Sequence, residues 1–372
     1  MKRYTRSVSE VWENWKGAAQ LGVYPFDHTA YEDHERVLTS LRSLDREEWA
    51  KAYSAAAEPF EQAGRSAERE GDLSAAQKHY LRASGLYRMA RWPACNSPSK
   101  KAAYEKSKDM FLAAAKHFDV PVECVEIPFR GKPGEGKVVI GHFRKPPRPG
   151  KLPVLLAWGG LDYYKEDAAD LFAPVLDKGA ATLTIDIPGT ADAPVLASAD
   201  AERMWDAAFT WIRSRDDLDP SLVVGWGLST GGYWAAKVAH THAEHFSGVV
   251  DHGGCAHYTF QPEWIEKAQF GTYPFELAET LASTLGLNTF EDWVDNAPKL
   301  SLLTQGWLDR SSAPLLLING TADTVFSPED MQLLLQHGRP KIARFYPGDH
   351  MGITPDTFRT IYAWIADRLG LD

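Results

Sequence analysis

The stretch Leu222–Tyr233, LVVGWGLSTGGY, decides the fold of this chain. A short β-branched apolar run enters a Gly-x-Ser-x-Gly pentad that begins at Gly227 and ends at Gly231, and an Ala-rich, helix-forming segment follows it. This pattern predicts a strand, a sharp turn and a helix. A serine raised on such a turn needs neighbours with almost no side chain, because bulk on either side would collide with the strand or the helix. Ser229 is therefore the candidate nucleophile.

A serine hydroxyl is a poor nucleophile unless a base takes its proton and a third group orients that base. The sequence offers both groups after the serine. Asp323 follows the apolar run Pro314–Ile318, and His350 follows the run Ile342–Tyr346. Each lies just past a predicted strand, where the loops of neighbouring strands meet above the serine. Asp349 is the rival acid, but a side chain adjacent in sequence to the histidine is badly placed to reach the far nitrogen of its ring.

Acyl transfer also needs N–H donors for the oxyanion that forms on the substrate. The first predicted donor is the backbone N–H of Thr230, because it begins the helix and the helix dipole adds to its effect. The second is expected from the loop after the third strand, Ala157–Asp162, where paired glycines let the backbone approach a substrate. The N–H of Leu161 or Gly160 is the candidate there.

Composition bounds the remaining possibilities. The chain has 372 residues, of which 44% are hydrophobic, so a large domain plus a smaller one is expected. A net charge of −10 argues against nucleic acid as a partner, because phosphate binding needs clustered Lys and Arg, and a small apolar or neutral substrate fits better. No segment resembles a signal peptide or a membrane span, so we expect a soluble, cytoplasmic protein. The three cysteines lack metal-binding spacing, and the sequence predicts neither a metal nor a cofactor.

The hydrophobic period changes near residue 119. Residues 1–118 have helical spacing and no convincing strand, which predicts a helical domain that covers a substrate site. Residues 119–372 begin with a β-hairpin and then alternate strands with helices, which is typical of a mostly parallel sheet with helices on both faces. An aromatic-rich insertion at about residues 255–312 separates two strands of this sheet. Because ligands bind beyond the carboxyl ends of such strands, we expect the insertion to be a helical cap.

These motifs resemble the α/β-hydrolase superfamily. A narrower resemblance is to the branch with an N-terminal helical domain, which contains fungal polyketide-shortening hydrolases of the yellowish-green pigment type and bacterial 2,6-dihydroxypseudooxynicotine hydrolase. It rests on the helical domain and on three segments, Trp158–Asp162, His257–Ile265 and Tyr273–Ala278. The resemblance implies an α/β-hydrolase fold with an N-terminal all-α domain and a helical cap insertion.

The same resemblance implies hydrolysis of a carbon–carbon bond in a β-dicarbonyl or aryl ketone through an acyl-enzyme, by a homodimer. It also implies an accessory cap carboxylate, for which Glu263 is the nearest candidate, although a Glu in the first turn of a helix equally fits a residue that complements the dipole. Two alternatives stay open. A carboxylesterase or lactonase acting on a small apolar ester needs the same triad. A binding module with an inert hydrolase core is possible too, and the intact Ser, Asp and His set argues against it.

Overall fold

The computed structural model describes residues 4–337 and 341–371. Its internal contacts divide the chain into two compact units. One unit holds the described residues up to Val122 together with Pro274–Glu276, and the other holds residues 123–273 and the chain from Leu277 onward.

The first unit consists of helices. They are α1 (Val8–Leu21), α2 (Tyr31–Ser40), α3 (Arg46–Glu70), α4 (Leu73–Arg91) and α5 (Pro98–Ala115). Gly71 ends α3 in the left-handed conformation that glycine favours, and the Asp72 side chain then caps α4 by accepting a hydrogen bond from the Ala75 N–H.

Aromatic rings form the centre of this helical unit. Trp15 and Trp92 pack edge to face with ring centroids 5.0 Å apart. Phe275 lies against both Trp49, at 5.2 Å, and Trp92, at 5.0 Å. Edge-to-face pairs of this kind add to the free energy gained from burial, so Phe275 belongs structurally to the helical unit although it comes from the predicted cap.

The second unit is an α/β sandwich built on an eight-stranded sheet. The strands are β1 (Glu123–Pro128), β2 (Val138–Arg144), β3 (Leu152–Trp158), β4 (Ala181–Ile185), β5 (Leu218–Leu228), β6 (Gly248–His252), β7 (Leu315–Gly320) and β8 (Lys341–Tyr346). Their order across the sheet is β1-β2-β4-β3-β5-β6-β7-β8. The predicted hairpin is confirmed, since β1 and β2 pair antiparallel, and β3 to β8 pair in parallel.

The helices of this unit cover the sheet or form the insertion. They are α6 (Ala169–Lys178), α7 (Met204–Ser214), α8 (Thr230–Thr241), α9 (Pro262–Ala268), α10 (Leu277–Thr284), α11 (Phe290–Asn296), α12 (Pro328–Gln336) and α13 (Pro355–Leu369). The predicted fold class is confirmed, but one boundary differs. The sequence predicts a helix from Pro274 to Leu281, whereas α10 begins at Leu277, because Glu276 has a positive φ of 56° that interrupts helical geometry.

The central strands are buried on both faces, which explains their uninterrupted apolar sequences. Along β3, Leu156 packs in one hydrophobic cluster, while its neighbours Leu155 and Ala157 pack in the cluster on the opposite face. Because β3, β5, β7 and β8 run in the same direction, their carboxyl ends lie along one edge of the sheet. The predicted site residues follow these four ends. Within the described ranges, no helix is long and apolar enough to cross a lipid bilayer.

Candidate active site

Ser229 occupies a strained turn between β5 and α8. Its φ of 55° and ψ of −120° are unfavourable for a residue with a side chain. Two backbone hydrogen bonds fix the turn: the Ser229 N–H donates to the His252 carbonyl at 2.8 Å, and the Gly232 N–H donates to the Ser229 carbonyl at 2.7 Å. The strand, turn and helix predicted from the pentad are therefore present, and the turn holds the serine at the carboxyl edge of the sheet.

The glycines of the pentad are required by close backbone contacts. A Cβ atom on Gly227 would lie 2.1 Å from the carbonyl oxygen of Gly231, and one on Gly231 would lie 2.0 Å from that of Gly159. Real Cβ atoms do not approach other atoms this closely, so neither position accepts alanine without movement of the backbone. Trp158 adds a hydrogen bond from its indole N–H to the Gly231 carbonyl at 2.7 Å, which ties β3 to the turn.

Ser229, His350 and Asp323 form one hydrogen-bonded chain. The Nε2 atom of His350 lies 2.7 Å from Ser229 Oγ, and its Nδ1 atom lies 2.8 Å from Asp323 Oδ2. A carboxylate only accepts hydrogen bonds, so Nδ1 carries the proton and Nε2 is left to accept the serine proton. The three residues that the sequence singles out are thus brought together in the arrangement that general-base activation of a serine needs.

Several hydrogen bonds hold Asp323, the candidate orienting acid, in place. Its side chain is buried, and Oδ1 accepts hydrogen bonds from the Val325 and Phe326 N–H groups at 2.8 and 2.9 Å. Its Oδ2 accepts a hydrogen bond from the Asn319 side-chain amide at 2.9 Å in addition to the one from His350. Burial acts to raise the pKa of Asp323, but the charge and hydrogen bond of His350 outweigh it, so the pKa is lowered and the carboxylate stays ionised.

Several carboxylates act on His350. Burial favours the neutral imidazole, but the charges of Asp323, Asp349 and Asp162 favour the imidazolium and raise the pKa of His350 above its ordinary value. Asp349 does not reach the ring: it accepts hydrogen bonds from the Thr324 N–H at 2.7 Å and from the His350 N–H at 2.8 Å. It caps its own loop, as expected for an acid adjacent in sequence to the histidine.

Two of the predicted oxyanion donors, Thr230 and Gly160, lie next to the serine. Thr230 begins α8, and Gly160 approaches Ser229 so closely that a Cβ atom on it would lie 3.1 Å from the serine Cβ and 2.9 Å from the Leu228 carbonyl. Within the described part of the chain, the N–H groups of Thr230, Gly160 and Leu161 donate no backbone hydrogen bond outside regular helices and strands. These N–H groups remain the candidates for binding a substrate oxygen.

Two residues at the site were not predicted from the sequence. Asp162 directly follows the glycine loop, accepts a hydrogen bond from the Tyr273 hydroxyl at 2.9 Å, and contributes to the raised pKa of His350. Asn319 orients Asp323 and accepts a hydrogen bond from the Met351 N–H at 2.9 Å. The pair formed by Asp162 and Tyr273 joins positions 111 residues apart, so no local pattern could reveal it.

Glu263, the candidate accessory acid, is exposed in the first turn of α9. It is not among the residues that line the cavity beside Ser229. The residues that line that cavity include Thr230 and Phe326. Among residues 4–337 and 341–371, no group of three or more His, Cys, Asp or Glu side chains is arranged to hold a metal ion.

Comparison with known proteins supports this reading of the fold. The family model for FrsA-like esterases matches residues 30–347, which is most of the chain. The chain belongs to this family. The resemblance to α/β-hydrolases of the branch with an N-terminal helical domain, predicted above, is confirmed by relatives and structural neighbours of the same kind.

Three of these proteins illustrate the similarity. Hydrolase ORFZ of Pyricularia oryzae is 31% identical over 221 residues, which cover 54% of this chain and 51% of that protein. Esterase FrsA of Enterobacter sp. strain 638 is 25% identical over 274 residues, which cover 72% of this chain and 64% of that protein. This chain therefore spans about half to two thirds of the length of these curated relatives. The crystal structure of 2,6-dihydroxy-pseudo-oxynicotine hydrolase matches with a TM-score of 0.72 at 19% identity, covering 92% of this chain and 94% of that one, and shows the shared fold.

Proposed function

We propose that this FrsA-like family member is a serine hydrolase that cleaves a carbon–carbon bond in a β-dicarbonyl or aryl ketone through an acyl-enzyme. The observation that carries the proposal is the hydrogen-bonded chain from Ser229 through His350 to Asp323, with distances of 2.7 and 2.8 Å. These distances already equal those required for proton transfer, so no rearrangement is needed before the serine is activated.

In the first step, Ser229 Oγ attacks the substrate carbonyl carbon while His350 Nε2 takes the hydroxyl proton. The negative charge moves to the carbonyl oxygen, where the N–H groups of Thr230 and Leu161, or Gly160, donate hydrogen bonds. Asp323 remains ionised and stabilises the imidazolium, consistent with its lowered pKa. The result is a tetrahedral adduct bound covalently to the serine.

In the second step, the adduct collapses and the bond to the leaving carbon breaks. The electron pair goes to that carbon, which a neighbouring carbonyl or aryl group stabilises, and His350 supplies its proton. Water then attacks the acyl-enzyme, again with His350 as base, and a carboxylic acid leaves as Ser229 is restored. In these reaction steps His350 alone transfers the protons, so the exposed Glu263 is not required. Glu263→Gln should therefore keep wild-type kinetics. Loss of turnover with acylation intact would instead assign Glu263 as an accessory acid.

The preference for a ketone comes from the sequence resemblance of the loop and cap segments to carbon–carbon hydrolases. A specific observation favours the second candidate, a carboxylesterase, since the matching family is that of the FrsA-like esterases. Both reactions use the same acyl-enzyme and differ in whether the departing atom is carbon or oxygen. Activated esters are expected to react in either case.

The deciding experiment compares wild type with Ser229→Ala on an aryl β-diketone, an acylated naphthol polyketide analogue and an aryl ester, with products identified by mass spectrometry. Serine-dependent release of a carboxylic acid from either ketone is the expected result. Turnover of the ester alone would favour the esterase, and failure of a fluorophosphonate probe to label Ser229 in the folded protein would point to an inert core. Sedimentation of the same sample checks the predicted homodimer.

A further inference from the structure

A cavity lies immediately beside the proposed nucleophile. Thr230, which lines it, is the residue after Ser229, and Phe326, which also lines it, packs edge to face against the His350 ring with centroids 5.0 Å apart. Any group attached to the carbonyl carbon that Ser229 attacks therefore has this cavity within reach.

The walls of the cavity are apolar and neutral. They include buried Trp234, Phe260, Leu281 and Trp293, and no Asp, Glu, Lys, Arg or His of the described chain contributes to them. Desolvating an ion in such surroundings, with no opposite charge to pair with it, is strongly unfavourable. The cavity therefore selects an uncharged group.

The hydroxyl groups around the cavity are mostly satisfied elsewhere. Tyr233 donates its hydroxyl proton to the Leu300 carbonyl at 2.9 Å, and Thr284 donates to the Leu281 carbonyl at 2.7 Å. The Thr230 Oγ1 atom, in contrast, is buried and has no hydrogen-bond partner among the described residues. One polar atom of a bound group can thus be accommodated next to the nucleophile, and the rest of that group must be apolar.

The cavity is also small. Its volume is about 20 Å³. A single water needs about 10–15 Å³ by this measure, so the space corresponds to one or two waters, or to a chain of about two to four carbon atoms. An aromatic ring system does not fit without displacement of the buried walls, and close-packed interiors resist such displacement.

We infer that this cavity is an acyl site, which holds a short, uncharged acyl group of about two to four carbons on Ser229 while the larger part of the substrate is the leaving group. The inference rests on the proposed serine hydrolase function and deepens it. A small apolar pocket beside the nucleophile suits the group that remains bound through the covalent intermediate, because the leaving group must depart before water can enter. The enzyme would accordingly release a short carboxylic acid from its substrate.

The first test is a series of p-nitrophenyl esters, in which only the acyl chain changes. We expect kcat/KM to be highest for acetate to butyrate and to fall at least roughly tenfold by octanoate, the scale at which hydrophobic pockets discriminate chain length. The hemisuccinate ester, which carries a carboxylate, is expected to react at least roughly a hundredfold more slowly than butyrate because the site offers no counter-charge. A maximum at octanoate, or equal rates for hemisuccinate and butyrate, would overturn the inference.

The second test changes the size of a side chain that lines the cavity. Leu281→Ala should raise the ratio of octanoate to butyrate kcat/KM roughly tenfold, whereas Leu308→Ala, the same truncation at a buried position that does not line the cavity, should leave that ratio unchanged. Because a ratio does not depend on the fraction of folded enzyme, lost stability cannot mimic the effect. Should Leu281→Ala not fold, Ala197→Leu narrows the same cavity and should lower the ratio of butyrate to acetate. An unchanged ratio in the folded cavity variant would overturn the acyl site.

Failure of the inference is distinguishable from failure of the proposed function. A fluorophosphonate probe that labels wild type but not Ser229→Ala, combined with ester turnover that is indifferent to chain length, would leave the serine hydrolase standing and remove the acyl site. Absence of both labelling and turnover would remove the proposed function, and the acyl site with it.

Discussion

Replacing Asp323 by Asn tests the proposed mechanism most directly, because the structure dictates how the amide must sit. The Oδ1 position accepts two backbone N–H groups, from Val325 and Phe326, so an oxygen has to remain there. The new NH₂ group is forced into the Oδ2 position, where Asn319 Nδ2 and His350 Nδ1 lie at 2.9 and 2.8 Å. Both of these nitrogens donate in the native enzyme, so the amide would face two donors.

His350 can relieve this conflict by changing its tautomer. If Nδ1 gives up its proton and accepts a hydrogen bond from the Asn amide, Nε2 becomes protonated and can no longer take the proton of Ser229. The variant also loses a charge-assisted hydrogen bond, which contributes about 1.5–3 kcal/mol. In serine proteases the same exchange lowers kcat by about 10⁴, and we expect a loss of about 10³- to 10⁴-fold here. Stopped-flow acylation with p-nitrophenyl acetate measures this step without interference from deacylation.

Asp349→Asn is the matched control. Asp349 carries the same charge one residue from His350, but it bonds to the Thr324 and His350 N–H groups rather than to the ring. This variant should keep acylation within about tenfold of wild type and lose about 1 kcal/mol of folding free energy, as for other loop or helix caps. Acylation by Asp323→Asn within tenfold of wild type, or abolished acylation in Asp349→Asn alone, would show that the acid has been assigned to the wrong residue.

Three further predictions follow from the same geometry. The pKa of His350 is raised and only the neutral ring can act as a base, so kcat/KM should fall as pH decreases through a value above the ordinary 6.5. Asp162→Asn should move this acid limb of the profile to lower pH. A pH–rate profile that does not move would exclude Asp162 from the electrostatics of the site. Gly160→Ala should reduce the acylation rate at least roughly tenfold, because the new Cβ atom would press on Ser229. Gly17→Ala is the control, since a Cβ atom at Gly17 meets open space. It should preserve activity and raise the free energy of unfolding in urea by about 0.5–1 kcal/mol through a more stable α1. Ser229→Gly should have a higher free energy of unfolding than Ser229→Ala by about 1 kcal/mol. Both variants lack the hydroxyl, but only glycine adopts a φ of 55° without strain. Equal melting temperatures would mean that the turn is unstrained.

The core of the fold could be predicted from the sequence because strong local signals coincide with tertiary demands. The apolar runs Pro314–Ile318 and Ile342–Tyr346 form β7 and β8 with small changes of boundary. Helix α1, in contrast, was not predicted, although Ser7 and Glu10 form a capping box before its apolar positions, and that box is a readable signal. The start of α10 could not be predicted, because no pattern in the sequence signals the positive φ of Glu276 that precedes it.

At the site, the residues that sit on regular strand ends were predictable, whereas those that support them were not. Ser229 and His350 are placed by strands whose pattern is visible in the chain. Asn319 looks like an ordinary turn residue until its amide is seen to orient Asp323, and Asp162 gains its place only through a hydrogen bond from a cap tyrosine. Support of this kind depends on side chains that meet after folding, and sequence periodicity carries no information about them.

In the proposed hydrolase, the chain of hydrogen bonds from Ser229 to Asp323 governs reactivity and the cavity governs the choice of acyl group, two properties that are often measured together. The strain at Ser229, on the order of 1–3 kcal/mol, is held by backbone hydrogen bonds and by glycine contacts that contain no substrate-binding side chain. Two wall residues of the cavity, Thr230 and Phe326, adjoin these groups, whereas Leu281 makes none of the contacts that hold Ser229, His350 and Asp323. A variant of Leu281 should change the accepted acyl chain but leave the acid limb of the pH profile in place, whereas a variant of Asp162 should move the acid limb equally for every acyl chain. If instead one substitution altered both, the cavity and the proton-transfer chain would have to be a single coupled structure, and the reaction could not be assigned from the triad alone.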